Sequence, residues 1–119
     1  MKGLRLYVRP IEATDHPALE AFLGTATPPA WGLLGKLLGD LVAVVALEIS
    51  GDALRVNDIY VARELRRKRI GKAMMREVEQ LAAKLEQRRI IVDDARGAQE
   101  FFRRVGFESE GDRWVRVVA

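Results

Sequence analysis

One continuous stretch, residues 56–85, most constrains what this chain can fold into. It reads VNDIYV, then ARELRRKRIG, then KAMMREVEQLAAKL. The first part is typical of a strand, and the third has apolar residues at helical spacing. A strand that leads through a basic turn into a helix forms an anion site, because the first backbone N–H groups of a helix have no intrahelical partner. The stretch therefore predicts a site for a ligand that carries several phosphates.

Basic residues are concentrated around this turn. Four consecutive ones occupy 66–69, with Arg63 before them and Lys72 after them. A second group consists of Arg88, Arg89, Arg103 and Arg104. The formal net charge is only +3, so this clustering favours a discrete anion site over general binding of polyanions. An alternative is a nucleic-acid-binding domain that uses residues 66–69 to bind phosphates. Nucleic acid is the less favoured partner, because the sequence shows no basic surface with interleaved aromatic residues.

The first half of the chain predicts a strand, a helix and then three strands. Residues 4–10 alternate and form the first strand, and the helix after it has Asp15 as N-cap, Pro17 in its first turn and Gly24 at its end. Two prolines keep 25–30 in a loop. Three segments follow, at 31–36, 41–49 and 53–61. The first of these is a strand or a helical turn, and we favour the strand, which makes the three an antiparallel meander.

The second half of the chain predicts a helix over 71–85, a strand RRIIVDD, a helix over 97–105 and a hairpin formed by FESE and RWVRVV. Met74 and Met75 lie on the apolar side of the first of these helices, so we interpret them as core residues. The full predicted order is β-α-β-β-β-α-β-α-β-β.

Length and composition limit the number of domains, the kinds of metal site and the association with membranes that this chain can have. The 119 residues predict one domain, 1–119, that buries roughly two thirds of its unfolded surface. The chain has no cysteine and a single histidine, His16, which excludes disulfides and thiolate metal sites and makes us expect no metal. No apolar run reaches the ~18 residues of a membrane span and no signal peptide begins the chain. We therefore expect a cytoplasmic protein with no membrane partner.

The basic turn resembles a motif of one enzyme family. GNAT acyltransferases carry R/Q-x-x-G-x-G/A between their fourth strand and third helix, where backbone amides hold the pyrophosphate of acetyl-CoA. The matching residues in this chain are Arg66, Arg67, Lys68, Arg69, Ile70, Gly71, Lys72 and Ala73. One departure is Arg69, which stands where the family has its first glycine. We interpret Arg69 as a clamp on a phosphate, with obstruction of the phosphate path as the alternative.

A second segment is similar to the end of the family's fourth helix, N-x-x-A-x-x-F/L-Y-x-x-x-G-F. The residues in the same register are Ala95, Ala98, Phe101, Phe102, Gly106 and Phe107. The two signatures and the order of the elements identify the chain as a member of the GNAT (N-acetyltransferase) superfamily over nearly its whole length. The resemblance implies an α/β (α+β) fold with a mixed, mostly antiparallel central sheet flanked by helices. The family's second helix is expected to be shortened or absent, which leaves the acceptor side open.

The resemblance also implies acetyl-CoA as co-substrate. Backbone groups at Ile59, Tyr60 and Val61 are expected to run beside the pantetheine arm, where a bulge separates neighbouring strands, and an amide there would polarise the thioester carbonyl. The Tyr60 side chain is a core residue, a ligand wall or a substitute acid. Phe102 stands where the family often has a tyrosine that protonates the departing thiolate, and it either lines the ligand or packs in the core.

The implied reaction is N-acetyl transfer by direct attack of an amine, from a small molecule or a peptide, in a ternary complex. An alkyl ammonium has a pKa near ~10.4 and must lose a proton first. Asp58 is the candidate catalytic base and Glu48 a second candidate, while a structural carboxylate paired with an arginine is the alternative for Asp58. Phe102 has no proton to donate, so water protonates the thiolate, or the protein is a non-catalytic CoA-binding or regulatory module. A homodimer is compatible with either function.

Overall fold

The computed structural model describes residues 5–66 and 69–118. These residues form seven strands and three α-helices in the predicted order. The strands are β1 (Tyr7–Pro10), β2 (Gly32–Leu37), β3 (Asp40–Ser50), β4 (Ala53–Val61), β5 (Arg89–Val92), β6 (Glu108–Glu110) and β7 (Arg113–Val117). The helices are α1 (His16–Leu23), α2 (Ile70–Lys84) and α3 (Gln99–Arg104), with short 3-10 turns at Ala13–Asp15 and Arg63–Leu65.

The strands form one sheet in the order β1-β2-β3-β4-β5-β7-β6. Strands β2, β3 and β4 pair as an antiparallel meander, and β4 and β5 pair in parallel. The predicted mixed, mostly antiparallel sheet is therefore confirmed. The interpretation of 31–36 as a strand is also confirmed, because β2 covers most of that segment.

Helices lie on both faces of the sheet. Helices α2 and α3 cover one face through a large apolar cluster, in which Met74 and Met75 are fully buried. Helix α1 covers part of the other face through Leu19, which packs with Leu34 and Val44. The interpretation of the two methionines as core residues is confirmed. Because helices flank both of its faces, β3 is buried from Val42 to Leu47, as its continuous apolar run predicts.

Strand β4 contains a bulge at its middle. Ala46 of β3 pairs with Asp58, and the next residue, Leu47, pairs with Val56, so that Asn57 is an extra residue in β4. A bulge of this kind interrupts the ladder and bends the strand. The family resemblance implies a bulge beside Ile59, Tyr60 and Val61, and the observed bulge lies just before this segment.

The extra residue changes which side chains face each side of the sheet. Val56 lies in the core beneath α2, and beyond the bulge Ile59 and Val61 pack against the same core. Since successive side chains alternate between faces, Asp58 and Tyr60 point to the opposite face. Tyr60 accordingly lines a surface pocket there together with residues of α1.

The parallel pairing of β4 and β5 is short. It joins residues 53–55 to residues 89–91 and ends before the bulge. Beyond this point the two strands separate, so the second half of β4 has β3 as its neighbour on one side and an opening on the other. This opening positions the candidate site.

Asp15 is the N-cap residue of α1, as predicted, but its side chain makes no capping hydrogen bond to that helix. It accepts hydrogen bonds from the Glu12 N–H at 2.7 Å and from both terminal nitrogens of Arg9 at 2.7 and 2.8 Å. A bidentate charge pair is stronger than a cap to neutral amides, which explains why Arg9 on β1 determines the orientation of the carboxylate.

Residues 24–31 connect α1 to β2 without a helix, as the two prolines of this loop predict. Gly24 ends α1 with a φ of 67°, and Pro17 occupies the first turn of α1, so both predictions are confirmed. Within the two described ranges, no helix has the length and apolarity needed to cross a membrane.

Candidate functional site

A cleft of about 1020 Å³ extends from the opening beside β4 to the N-terminus of α2. Its walls come from the end of β4, the basic turn, the first turn of α2, the loop after β5 and helix α3. The lining residues are Ile59, Val61, Leu65, Arg66, Arg69, Gly71, Lys72, Arg96, Gly97, Ala98, Phe101, Arg104 and Val105. The cleft therefore joins the two regions that the sequence predicts to bind the ligand.

The charges around this cleft have one sign. Five of its lining side chains are arginine or lysine, and none of the lining residues in the described part of the chain is acidic. Arg66 is held near β4 by a hydrogen bond of 3.4 Å from its Nε to the carbonyl of Val61. Apolar side chains from β4 and α3 line the other part of the cleft. This arrangement fits a ligand with an anionic end and a less polar arm.

The N-terminus of α2 has an unusual backbone. Arg69 is the N-cap residue and has a φ of 63° and a ψ of 15°, in the left-handed region. Its side chain makes no capping hydrogen bond, while its carbonyl accepts the first helical one, from the Ala73 N–H at 3.0 Å. The left-handed region favours glycine, which explains the glycine of the family motif at this place. Here an arginine adopts that conformation and lines the cleft.

Gly71 lies close to the ring of Phe101, which would have to shift to admit a side chain here. A Cβ atom at this position would lie 3.1 Å from Cε1 of Phe101. Its backbone conformation is helical, so available space, and not φ, determines the need for glycine. The absence of a side chain lets the Phe101 ring and the first turn of α2 form adjacent walls of the cleft.

A second cavity of about 200 Å³ lies between the ends of β4 and β5. It shares Ile59, Arg96 and Ala98 with the cleft, so the two cavities are neighbours. Phe102 lines this smaller cavity and not the cleft, and it is 2% exposed. Its ring packs edge to face against Phe101 and against Phe107, with centroid distances of 5.2 and 5.3 Å.

Asp58 forms the centre of a hydrogen-bond network at the mouth of the smaller cavity. Its Oδ2 accepts hydrogen bonds from the Tyr60 hydroxyl at 2.6 Å and from Nη1 of Arg96 at 2.8 Å. Its Oδ1 accepts one from the N–H of Ile59 at 3.0 Å. The pairing with an arginine, which was the structural alternative for Asp58, is therefore present. The ion pair connects β4 to the loop after β5 across the opening.

The network also affects Tyr60. Its hydrogen bond to Asp58, together with partial burial, raises the pKa of the Tyr60 hydroxyl above its usual value. A phenol with a raised pKa keeps its proton at neutral pH and can donate it, but it is a poor base. Tyr60 lies on the face opposite α2 and does not line the cleft.

The structure brings together only part of the predicted site. Six of the predicted residues line the cleft: Ile59, Val61, Arg66, Arg69, Gly71 and Lys72. Ile70 is buried in the core, and Ala73 does not line the cleft. Arg67 and Lys68 lie outside the described residues. Glu48, the second candidate base, accepts a hydrogen bond from Asn57 at 3.3 Å.

Seven lining residues of the cleft were not predicted as site residues, and Arg96, Phe101 and Arg104 have the largest side chains among them. Arg96 borders both cavities, whereas Phe101 and Arg104 line the cleft alone. Phe101 was part of the second signature, and Arg104 belonged to a noted basic group, so a signal for both was present. No sequence motif pointed to Arg96, because its position depends on the conformation of a loop. In this loop Arg96 has a φ of 49° and Gly97 has a φ of 85°.

A comparison with models of protein families identifies one family. The model of the acetyltransferase (GNAT) family matches residues 5–107. No curated protein matches the sequence significantly.

Solved structures show the same fold at low sequence identity. The ribosomal-protein-S18-alanine N-acetyltransferase of Escherichia coli has 14% identity and a TM-score of 0.78, with 97% of this chain and 95% of the other covered. Nourseothricin acetyltransferase has 19% identity and a TM-score of 0.76, with 96% and 99% covered. N-acetylglutamate synthase of Neisseria gonorrhoeae, solved with coenzyme A and N-acetyl-glutamate, has 14% identity and a TM-score of 0.82, with 99% of this chain and 36% of the other covered.

Proposed function

Since this chain belongs to the acetyltransferase (GNAT) family, we propose that it transfers the acetyl group of acetyl-CoA to an amine by direct attack in a ternary complex. The observation that carries the proposal is the continuous cleft from the basic N-terminus of α2 to the opening between β4 and β5. Acetyl-CoA has an anionic end and a long neutral arm, and the cleft has walls suited to each. The acceptor is an amine of a small molecule or a peptide, and we place the reaction in the cytoplasm.

The phosphates belong at the turn before α2. Arg66, Arg69 and Lys72 supply positive charge there, and the uncapped backbone N–H groups of the first turn of α2 supply donors. The pantetheine arm then runs beside Ile59 and Val61, which line the apolar part of the cleft. This placement brings the thioester to the opening at the bulge.

Ile59 is the candidate donor to the thioester carbonyl. A backbone N–H at this place stabilises the oxyanion that forms when the amine attacks. In the structure this N–H donates to Oδ1 of Asp58 at 3.0 Å. An acyl carbonyl therefore competes with the Asp58 carboxylate for the same hydrogen, so we expect binding of the donor substrate and the position of Asp58 to be coupled.

An alkyl ammonium loses two protons from its nitrogen on the way to an amide, and an electron pair leaves with sulfur. Asp58 accepts the first proton after it has released one of its three hydrogen bonds, and later passes this proton to solvent. The amine nitrogen then bonds to the acetyl carbon, and the C–S bond breaks to give the CoA thiolate. The second proton leaves the nitrogen as the C–S bond breaks and reaches the thiolate through water, because Phe102 has no hydroxyl. A neutral amide and free CoA are the products.

A non-catalytic CoA-binding module is the second candidate function. The observation that favours it is the burial of Phe102 at the place where the family often has a tyrosine. Such a module would bind CoA in the same cleft but would not release CoA thiol from acetyl-CoA. Activity therefore distinguishes the two functions, and binding does not.

The experiment is a thiol-release assay with acetyl-CoA and a panel of primary amines, with the product identified by its mass. We expect turnover with at least one amine, and no turnover or CoA binding for Gly71→Val, whose side chain collides with the Phe101 ring. Ala83→Val, at an exposed position of α2, controls for valine in this helix and should retain activity. Binding of CoA without turnover on any amine favours the second function, and a wild type that binds no CoA contradicts both.

The same assay tests Asp58 as the base. We expect Asp58→Asn to lower kcat/KM and to change its dependence on pH between pH 6 and roughly 10, a window that reaches toward the pKa of a free amine. Arg96→Gln is the matched control, because it breaks the same ion pair and keeps the carboxylate. A folded Asp58→Asn variant with the wild-type pH profile would exclude Asp58 as the base.

A further inference from the structure

A third cavity, of about 330 Å³, adjoins the cleft and is lined by residues of α2, of the end of α3 with the turn after it, and of β7. Lys72, Arg104 and Val105 border both, so the two form one connected surface. The remaining lining residues of this cavity are Met75, Arg76, Glu79, Gly106 and Arg116. Neither motif of the family resemblance includes Arg76 or Arg116, and the proposed reaction assigns them no role.

The cavity has an excess of positive charge. Its lining contains four cationic side chains and one carboxylate, Glu79. Glu79 is already paired with Arg116, at 2.9 Å between its Oε2 and Nε. Within the described residues, no carboxylate lies in ion-pair distance of the other three, Lys72, Arg76 and Arg104. Like charges that share a cavity repel one another, so an anion bound among them offsets this repulsion.

Arg116 forms a fixed wall of the cavity. Besides its ion pair with Glu79, it donates a hydrogen bond from Nη1 to the carbonyl of Gly106 at 3.3 Å. A side chain at position 106 would collide with the guanidinium of Arg116, so the glycine that ends the second signature also makes room for this arginine. The three cations for which the described residues show no ion pair therefore lie beside an arginine that has two contacts of its own.

The position of the cavity matches the phosphate arrangement of CoA. Arg76 is five residues beyond Gly71 in α2, which is about 7.5 Å along the helix axis. CoA carries a diphosphate and, across a single ribose, a separate 3′-phosphate. With the diphosphate at the turn before α2, a ligand that follows the helix brings its third phosphate to this cavity.

We infer that the cavity formed by Lys72, Arg76, Arg104 and Arg116 binds the 3′-phosphate of CoA and makes the protein select CoA over its dephosphorylated form. The inference rests on the proposed function, because it assumes that CoA occupies the cleft. A substitution of Arg76 tests this inference separately from the proposed function, since Arg76 lines the cavity and not the cleft.

The experiment compares the Kd of CoA with that of 3′-dephospho-CoA by calorimetric titration. We expect the wild type to bind CoA about tenfold more tightly, the effect of one charge-assisted contact. Arg76→Gln should lose most of this preference and should keep the wild-type Kd for dephospho-CoA. Arg103→Gln is the matched control, because Arg103 pairs with Glu100 and lies over the Trp114 ring outside both cavities, and it should keep the wild-type preference.

The outcomes separate this inference from the proposed function. Equal Kd values for the two ligands in the wild type would overturn the inference and leave the proposed function intact. An Arg76→Gln variant that binds both ligands more weakly by the same factor would also overturn it, because the arginine would then act only through general charge. If neither ligand binds to the wild type, the proposed function fails and the inference fails with it.

Discussion

Arg69 stores conformational strain at the entrance of α2. For a residue with a Cβ atom the left-handed region costs about 1 kcal/mol, and glycine avoids this cost. We therefore expect Arg69→Gly to raise the free energy of unfolding by about 0.5–1 kcal/mol in urea titrations without ligand. The same change removes a cation from the cleft, so we expect CoA to bind more weakly to a more stable protein.

Glu86→Gly is the control for this pair of effects. Glu86 has a φ of 57° and is exposed beyond the end of α2, away from the cleft. It should reproduce the gain in stability and leave the Kd of CoA unchanged. Tighter binding of CoA to Arg69→Gly would show that the arginine obstructs the phosphate path and would contradict its interpretation as a clamp.

Phe102 permits a gain-of-function experiment. Its side chain lines the smaller cavity together with polar side chains such as Asp58 and Arg96, so hydrogen-bond partners for an added hydroxyl are near. We expect Phe102→Tyr to fold and to raise kcat, because the new phenol supplies the proton that water otherwise gives to the thiolate. Phe102→Ala is a poor test, since emptying a site that is 2% exposed costs about 3–5 kcal/mol of stability.

Phe107→Tyr is the matched control for this substitution. Phe107 is equally buried and packs against the same ring, but it lines neither of the two cavities. The Phe107→Tyr variant should have a lower free energy of unfolding than the wild type and the same kcat. An unchanged kcat in a folded Phe102→Tyr variant would mean that departure of the thiolate does not limit the rate.

At the scale of elements, the ion pair between Arg9 and Asp15 joins β1 to the turn before α1. The hydrogen bonds from Arg9, with a further one from the Glu12 N–H, lower the pKa of Asp15 from 3.8 to about 2. A lowered pKa in the folded state means that the pair stabilises the protein fully above about pH 4, and that this contribution is lost as the pH falls toward 2. Stability should therefore decrease with acid in that window.

Asp15→Asn tests this contribution. We expect it to lower the free energy of unfolding by about 1–2 kcal/mol at pH 7, and the difference from the wild type should shrink between pH 4 and pH 2. Glu12→Gln removes an exposed carboxylate at 3.8 Å from Arg9 and should change stability little. A difference for Asp15→Asn that is the same at pH 7 and pH 2 would contradict the electrostatic origin.

The elements themselves were predictable where one local pattern dominates. Strand β4 was predicted to the residue, because turn residues bound it on one side and the basic segment on the other. The pairing of Asp15 could not be predicted, since its partner Arg9 belongs to another element and reaches it only in the folded chain. A local capping pattern was present, but a tertiary charge pair outweighed it.

The site was predictable to the extent that it depends on the backbone turn. Gly71 and the arginines beside it could be placed from spacing alone. The partner of Asp58 could not, because Arg96 lies 38 residues further along the chain and reaches it across the opening between two strands. The bulge at Asn57 also leaves no local signature, yet it decides that Asp58 and Tyr60 face away from α2.

For the whole molecule, we expect a ligand that occupies the cleft to raise global stability. A ligand that binds only the folded state raises the free energy of unfolding by RT ln(1 + [L]/Kd), about 2.7 kcal/mol at a hundredfold excess over Kd. We expect acetyl-CoA and CoA to reach similar values, because both fill the cationic turn and the apolar arm of the cleft.

Two polyanions serve as controls for this measurement. Tripolyphosphate and a short DNA duplex, each at matched ionic strength, present phosphates but have no arm to lie against Ile59, Val61 and Phe101. If the cleft recognises CoA, these polyanions should stabilise the fold much less, and their effect should disappear with added salt. A DNA duplex that stabilises the protein as strongly as CoA does would instead indicate that the basic turn binds nucleic acid, since only charge and not the apolar wall would then contribute. Urea titrations with each ligand at several concentrations decide between these outcomes, because a fit of the free energy of unfolding to this relation gives the Kd.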